Sequence, residues 1–372
     1  MQSNSWIKRA LGLGLLTFLS VPSIHSKELD VRVELLYPQT GNFLKGHVVV
    51  VGDKLVTAMS SQGKVAIYSL SNLKEPLKEI PTKGENLNLV VHPSGWVAAC
   101  TEKGYKIHII DANNPTDPER QFEIDFDNGN YDTENYISCS GLALQVVNKD
   151  YPYVLVGSVA DRRIILMESD GDIAMRYAPV KGVYSLALAN DVAFAVVNAG
   201  TPYDSFPYAI NLATGDSVIG DRLGANARFG GQLTSGYSYT LFEDVQSRSV
   251  FYVKPFHKML HRFSTENPDL ATSQQLPVSN DFALAVNRYG KCIAVLGTTT
   301  PEIPDLAPAQ WVIYRSETRE EWKEIRKTSF FLHKELEGAQ RQAIDSLGNI
   351  YVAGWNGISK VSGLFEGLDC QP

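Results

Sequence analysis

The chain repeats one phrase at an interval of 42 residues. The first copy begins at Lys64 and reads KVAIYSLSNLKEP, and the second begins at Lys106 and reads KIHIIDANNPTDP. Each copy is an apolar strand, followed by a polar turn that contains Asn and by a proline that prevents the strand from continuing. A repeat of this length predicts an array of similar structural units.

Strand signals recur along the chain after residue 26, and no long helical pattern competes with them. Seven segments share one form, an apolar strand, a polar turn and a second apolar strand, at a mean spacing of 49 residues. Four short strands of ~5–6 residues with their turns need about that much chain. The sequence therefore predicts an all-β, seven-bladed β-propeller, in which each repeat is one four-stranded blade. The second strands are expected to begin near Leu55, Trp96, Pro152, Val192, Ser238, Cys292 and Asn349.

The last predicted blade is one strand short, because residues 340–363 supply only three strands. Residues 29–36 alternate apolar and polar side chains, as a half-buried strand does. We expect this N-terminal strand to complete the last blade. Such closure removes an exposed sheet edge that would otherwise invite aggregation.

Residues 1–26 are typical of a secretory signal peptide. Lys8 and Arg9 provide its positive start, and the apolar run that follows, residues 11–19, is well short of the ~20 residues that span a bilayer. Residues 27–372 are then expected to form a single propeller domain that is periplasmic or secreted, without membrane insertion of the mature chain.

The four cysteines fit an oxidising compartment. In the predicted propeller, Cys100 and Cys139 fall toward one end of the ring, and Cys292 and Cys370 fall toward the opposite end. We predict the disulfides Cys100–Cys139 and Cys292–Cys370. The alternative is four buried thiols that behave as small hydrophobic residues.

The net charge of −7 argues against nucleic acid or an anionic membrane as the main partner. The sequence also contains no Gly-x-Ser-x-Gly elbow, no Walker loop and no His-Glu-x-x-His motif. The cysteines have no Cys-x-x-Cys spacing, which disfavours zinc and iron–sulfur sites. No local motif therefore indicates a particular catalytic chemistry.

The two copies of the repeated phrase resemble LVIVD-type repeats, in which a hydrophobic strand ends in Asp and an Asn-Pro turn follows. The first copy departs from this pattern, since Ser69 replaces the Asp. Residues 343–361 resemble a blade of the NHL or regucalcin-like propellers. These resemblances cover three blades at most, and they imply an architecture more than an activity. The second copy matches the LVIVD pattern at Asp111, Asn114, Pro115 and Pro118.

Candidate site residues follow from the architecture, because a propeller gathers single side chains from several blades at the mouth of its central channel. Such side chains lie in loops that enter an innermost strand or leave a second strand, and loops carried on a rigid scaffold commonly hold binding residues. Each of them is individually compatible with a polar residue that faces a water-filled channel. The binding candidates are His47, Asn88, Asp281, Arg341 and Trp355.

Two functions are compatible with these features. The first is a non-catalytic module that binds or helps to assemble another exported protein, and that needs no cofactor. The alternative is a lactonase- or lyase-like enzyme that uses a divalent cation such as calcium. Regucalcin-like lactonases hold a cation at the channel mouth through Glu, Asn and Asp side chains. By analogy with them, the metal ligands would be Asn198, Glu243 and Asn356.

Overall fold

Seven four-stranded antiparallel sheets make up the part of the chain that the structure describes. The structure is a computed structural model. It describes residues 30–38, 46–59, 62–82, 87–101, 106–123, 141–148, 151–157, 164–168, 172–176, 183–189, 192–198, 205–219, 240–244, 249–253, 260–264, 271–272, 282–298, 309–317, 322–328, 333–336, 338–339 and 341–371.

The strands are numbered in chain order from β1 (Arg32–Pro38), and six sheets each consist of four consecutive strands. Sheet one contains β2 (Gly46–Val51), β3 (Lys54–Met59), β4 (Lys64–Ser69) and β5 (Asn72–Pro81). Sheet two contains β6 (Leu87–Val91), β7 (Trp96–Thr101), β8 (Lys106–Asp111) and β9 (Arg120–Glu123). Sheet three contains β10 (Gly141–Asn148), β11 (Tyr151–Gly157), β12 (Ile164–Met167) and β13 (Ile173–Arg176).

The next three sheets follow the same order from the innermost to the outermost strand. Sheet four contains β14 (Val183–Ala189), β15 (Val192–Asn198), β16 (Ser205–Asn211) and β17 (Ser217–Ile219). Sheet five contains β18 (Thr240–Asp244), β19 (Ser249–Val253), β20 (Leu260–Ser264) and β21 (Ala271–Thr272). Sheet six contains β22 (Phe282–Tyr289), β23 (Cys292–Thr298), β24 (Gln310–Ser316) and β25 (Trp322–Lys327).

Sheet seven joins the two ends of the described chain. Its strands β26 (Arg341–Ile344), β27 (Ile350–Gly354) and β28 (Gly357–Ser362) are consecutive, and β1 pairs with β28 as the outermost strand. The pairing is antiparallel and covers the whole of β1 with one irregularity. The predicted closure of the last blade by an N-terminal strand is therefore confirmed.

The seven innermost strands contact one another in a closed cycle. Going around the ring, β2, β6, β10, β14, β18, β22 and β26 each pack against the next, and β26 packs against β2. This arrangement is that of a β-propeller, which confirms the predicted all-β class. In the described residues, no helix is long and apolar enough to cross a membrane. Residues 1–29, with the predicted signal peptide, lie outside the described part of the chain.

The hydrophobic core lies between successive sheets. Val56 of sheet one and Val97 of sheet two belong to one buried cluster, and Val48 of sheet one and Tyr351 of sheet seven belong to another. Because strand side chains alternate between the two faces of a sheet, each sheet contributes to both of its neighbours. Each blade is therefore stabilised by both adjacent blades, as expected in a closed ring.

The repeated phrase occupies the same position in sheets one and two. Both copies form the third strand, β4 and β8, and the turn that follows. In the second copy the carboxylate of Asp111 accepts the backbone N–H of Asn113 at 2.9 Å. In the first copy the hydroxyl of Ser69 accepts the N–H of Ser71 at 3.3 Å, so serine performs the role of the aspartate. Pro76 was expected to prevent a strand from continuing, and this expectation is wrong, because Pro76 lies inside β5. β5 is the outermost strand of its sheet, where proline is tolerated.

In six of the seven sheets, the second strand begins within one residue of its predicted start. The turns before β7 and β27 contain Gly95 and Gly348, whose φ angles of +105° and +81° favour glycine. The fifth prediction is wrong, because β19 begins at Ser249 and not near Ser238. The sequence between β18 and β19 has no glycine to mark the turn, whereas Gly236 supplies a misleading marker just before Ser238.

A disulfide between Cys292 and Cys370 fastens the C-terminal tail, as predicted. The tail leaves sheet seven and returns to sheet six, where the N–H of Lys291 donates to the carbonyl of Cys370 at 2.8 Å. Cys100 is also disulfide-bonded. Its predicted partner, Cys139, lies outside the described residues.

Candidate functional site

One end of every sheet brings the start of the innermost strand next to the end of the second strand. We call this end of the ring the mouth end. Loops that enter innermost strands and loops that leave second strands meet there, as the sequence reasoning assumed. The pairs that define it are Gly46↔Met59, Leu87↔Thr101, Gly141↔Gly157, Val183↔Val197, Thr240↔Val253, Phe282↔Thr298 and Arg341↔Ala353.

Three of the predicted binding residues lie together at the mouth end. Arg341 is the first residue of β26, His47 is the second residue of β2, and Asn88 is the second residue of β6. These three innermost strands follow one another around the ring. The structure therefore places the three residues near the same end of neighbouring strands, on the arc of the channel mouth formed by sheets seven, one and two.

The side chain of Arg341 faces sheet one. Its neighbour Gln342 points to sheet six, and Ala343 packs with residues of sheet one. Alternation along the strand places Arg341 on the same side as Ala343. The guanidinium is half-buried, and the surrounding protein excludes enough water to lower its pKa to about 10. It therefore remains a cation at neutral pH, with a reduced hydration shell.

His47 and Asn88 face the same way around the ring as Arg341, each toward the sheet that follows its own. Val48 packs toward sheet seven and Val49 toward sheet two, so alternation turns His47 toward sheet two. Asn88 shares the face of Val90, which packs toward sheet three. Both ring nitrogens of His47 are shielded from solvent. A neutral imidazole offers one donor and one acceptor, and a carboxamide offers both as well.

Trp355 and Asn356 form the turn between β27 and β28, also at the mouth end. The indole of Trp355 is half-buried and lies so close to Gly338 that a Cβ at that position would overlap it. The amide of Asn356 donates to the carbonyl of Lys334 at 2.5 Å and so holds a short 3-10 helix, Lys334–Leu336, over sheet seven. The Asn356 side chain therefore has a structural role.

The remaining predicted residues are dispersed. Asp281 lies outside the described residues, and Asn198 ends β15 at the mouth end of sheet four. The expectation that Glu243 lies at the channel mouth is wrong, because Glu243 belongs to the interior of the innermost strand β18. It lies three residues beyond Thr240, which is ~10 Å from the mouth end along a strand. The three predicted metal ligands therefore do not share one level of the channel.

Within the described residues, no group of three His, Cys, Asp or Glu side chains could hold a metal ion. A divalent-cation site built with carboxamide ligands or with residues outside the described ranges stays a prediction.

Sequence reasoning missed a buried polar residue that fixes the position of β26. Gln342 is only 6% exposed. Its amide donates to the carbonyls of Ala285 and Ala294 in sheet six, and its carbonyl accepts the indole N–H of Trp311 at 2.9 Å. The sequence signal that could have found Gln342 is the pair of successive polar residues Arg341 and Gln342 at the start of β26. Because strand side chains alternate between the two faces of a sheet, two such residues point toward different neighbouring sheets. This network holds the strand that carries Arg341.

No protein-family model matches the chain, and no curated protein matches it in sequence. Solved structures match it closely in fold. A streptogramin B lyase superposes with a TM-score of 0.63 at 13% identity, covering 89% of this chain and 97% of the lyase. BBS1N, from its complex with ARL6DN, gives a TM-score of 0.59 at 13% identity and covers 92% and 98%. The WD40 propeller domain of Doa1 gives 0.56 at 13% identity, covering 89% and 96%. At such low identity these similarities identify a β-propeller fold and leave the activity to be argued from the site.

Proposed function

We propose that this chain is an exported propeller that binds another exported protein at the mouth end of its channel. The observation that carries the proposal is the arrangement of Arg341, His47 and Asn88 on three consecutive innermost strands, with Trp355 beside them. Half-buried aromatic and arginine side chains carried by a rigid sheet and its turns are typical anchors of protein interfaces. The buried disulfide supports export, because such bonds persist in oxidising compartments.

The architecture is compatible with such a role. BBS1N, one of the structurally similar chains, was solved in complex with ARL6DN. This is an analogy of fold, since one propeller fold serves many functions. It supports the proposal only in showing that a chain of similar fold was solved as part of a complex.

The test is a reciprocal co-purification of the full chain from its native host. We expect a tagged full chain to recover one stoichiometric protein, and the tagged partner to recover this chain. Trp355→Ala should weaken the complex by at least about tenfold, as loss of an interface anchor does. Leu347→Ala is the matched control, because Leu347 is an exposed apolar residue in a turn at the opposite end.

The proposal fails if no stoichiometric partner is recovered, or if Trp355→Ala and Leu347→Ala bind equally well. Export is tested separately by sequencing the N-terminus of the purified protein, which should begin near residue 27. A mature protein that retained residues 1–26 would contradict the proposed compartment.

The alternative, a cation-dependent lactonase or lyase, is less well supported because its three predicted ligands do not share one level of the channel. Metal analysis of the purified protein with a lactone-hydrolysis screen distinguishes the two functions. Stoichiometric calcium with turnover that is lost in Asn198→Ala would favour the enzyme and replace the binding module.

A further inference from the structure

The C-terminal tail, residues 363–371, follows β28 and crosses from sheet seven back to sheet six at the end of the ring opposite the mouth end. The guanidinium of Arg326 in β25 donates to the carbonyl of Leu364 at 2.7 Å. The ring of Phe365 lies 4.6 Å from the ring of Tyr289, at the end of β22. The tail therefore has non-covalent contacts with sheet six in addition to its disulfide.

The tail also contacts the strand that closes the ring. Its first residue, Gly363, comes so close to Asp30, just before β1, that a Cβ on Gly363 would overlap the Asp30 carbonyl oxygen. Val31 and Val33 pack against the buried cluster between sheets six and seven, to which Leu364 and both cysteines of the disulfide belong. The start of β1 is therefore supported by a cluster that the tail completes.

The disulfide determines how firmly the tail completes this cluster. The bond between Cys370 and Cys292 ties the tail to the start of β23. Chain ends open at a low cost in free energy unless they are tied down. A tail without its disulfide should therefore detach more often, and each detachment removes apolar support from Val31 and Val33.

We propose that the C-terminal tail is a redox-controlled latch on the closure of the ring. While the Cys292–Cys370 disulfide is intact, β1 stays paired with β28; reduction releases the tail and lets β1 detach while the other six sheets stay folded. Thiol pools keep such pairs reduced in the cytosol, so the latch would hold the ring closed only in an oxidising compartment. The inference goes beyond the binding function proposed above and does not depend on it.

A dithiol reductant supplies the two electrons that open the latch. One of its thiolates attacks a sulfur of the pair and displaces the other cysteine as a thiolate. Its second thiol then displaces the mixed disulfide, which leaves two cysteine thiols and the reductant as a cyclic disulfide. Because both cysteines are buried, the reductant reaches them only when the tail lifts.

The test is hydrogen exchange of the full chain, read by mass spectrometry on peptides from β1 and from β16 of sheet four, on the far side of the ring. It compares the oxidised wild type with the double variant Cys292→Ala, Cys370→Ala. We expect the ratio of the exchange rate in β1 to that in β16 to be at least about tenfold higher in the variant, because local opening exposes β1 alone. If both strands accelerate by the same factor, or if neither does, the latch is wrong.

The matched control is Asp369→Asn, which removes the exposed ion pair of the tail with Arg315, 3.6 Å long, and keeps the disulfide. Its ratio should equal that of the wild type, and a ratio as high as in the double variant would overturn the role of the disulfide. If the double variant does not fold, the wild type with a dithiol reductant replaces it. A ratio that stays at its oxidised value after thiol labelling shows Cys292 and Cys370 fully reduced would also overturn the inference.

A strand-capture measurement tests the detachment of β1 directly. A fluorescein-labelled peptide with the sequence of residues 30–38 can pair with β28 only when the chain's own β1 has left it. Its apparent affinity should be at least about tenfold higher for the double variant than for the oxidised wild type, because affinity scales with the open fraction. A scrambled peptide should bind neither protein. Equal binding of the β1 peptide to both would mean that the tail does not control β1, and would overturn the latch.

Discussion

Removing the Cys292–Cys370 disulfide should destabilise the folded chain by several kilocalories per mole. The bond closes a loop of 78 residues. Closing a loop of that length lowers the entropy of the unfolded chain by an amount that corresponds to about 4.5 kcal/mol at 25 °C. Both cysteines are 0% exposed. The double variant Cys292→Ala, Cys370→Ala is therefore preferable to serine, which would bury two new hydroxyls.

The assay is urea unfolding followed by tryptophan fluorescence, for the wild type and the double variant, with and without a phosphine reductant. In oxidising buffer we expect the free energies of unfolding to differ by about 4.5 kcal/mol, plus a smaller packing contribution from the lost sulfur atoms. In reductant the covalent contribution disappears, so only the packing contribution should separate the two proteins.

Reductant also affects the disulfide of Cys100, but it does so equally in both proteins and cancels in the comparison. The loop-closure reasoning is refuted if the two proteins are equally stable in oxidising buffer. It is also refuted if their difference is as large with reductant as without it.

Deleting residues 30–38 removes β1 and exposes the edge of β28. The melting temperature of the truncated chain should fall, and size-exclusion chromatography should show that it associates through the exposed edge. Unchanged melting would contradict the closure of the ring by β1. His108 is 2% exposed, and burial lowers its pKa although the carboxylate of Glu119 opposes the shift, so the folded chain takes up this proton at a lower pH than the unfolded chain, in which an ordinary imidazole protonates below about pH 6.5. The free energy of unfolding should therefore fall as the pH drops below 6.5, by at most about 1.4 kcal/mol per pH unit. His108→Leu should flatten that slope in urea titrations between pH 5 and 7.5, and parallel slopes would exclude His108 as the cause. Gly52→Ala should cost about 1–2 kcal/mol because its φ is +55°. Gly95→Ala should cost more, because its Cβ would also overlap the carboxamide of Asn113; equal losses on thermal melting would argue against that contact.

The architecture could be predicted because its signals are local. Six second strands were located to within one residue, and the disulfide of Cys292 with Cys370 followed from the end of the ring that each cysteine should reach. Where the local marker is missing, the prediction failed. The sequence between β18 and β19 contains no glycine, so the second strand of sheet five is expected near Ser238 instead of Ser249, and Glu243 is expected at the channel mouth.

The candidate site was predictable in its residues but not in its geometry. The strand-entry rule found Arg341 and His47, because it needs only the first residues of an innermost strand. Which side chains face one another depends on alternation within each strand and on the order of blades around the ring. The part played by Gln342 depends on carbonyl groups of sheet six that lie about fifty residues earlier in the chain, and no spacing rule encodes that contact.

The pairing of β1 with β28 also determines when folding can finish during synthesis. The first described strand emerges early but has no partner until almost the whole chain has been translated. Until then the ring stays open, with an unpaired edge at each side of the gap. Such long-range pairing is slow and leaves partly folded chains prone to aggregation. A chaperone that held the N-terminal strand extended until β28 appeared would raise the yield of folded protein without contacting the channel.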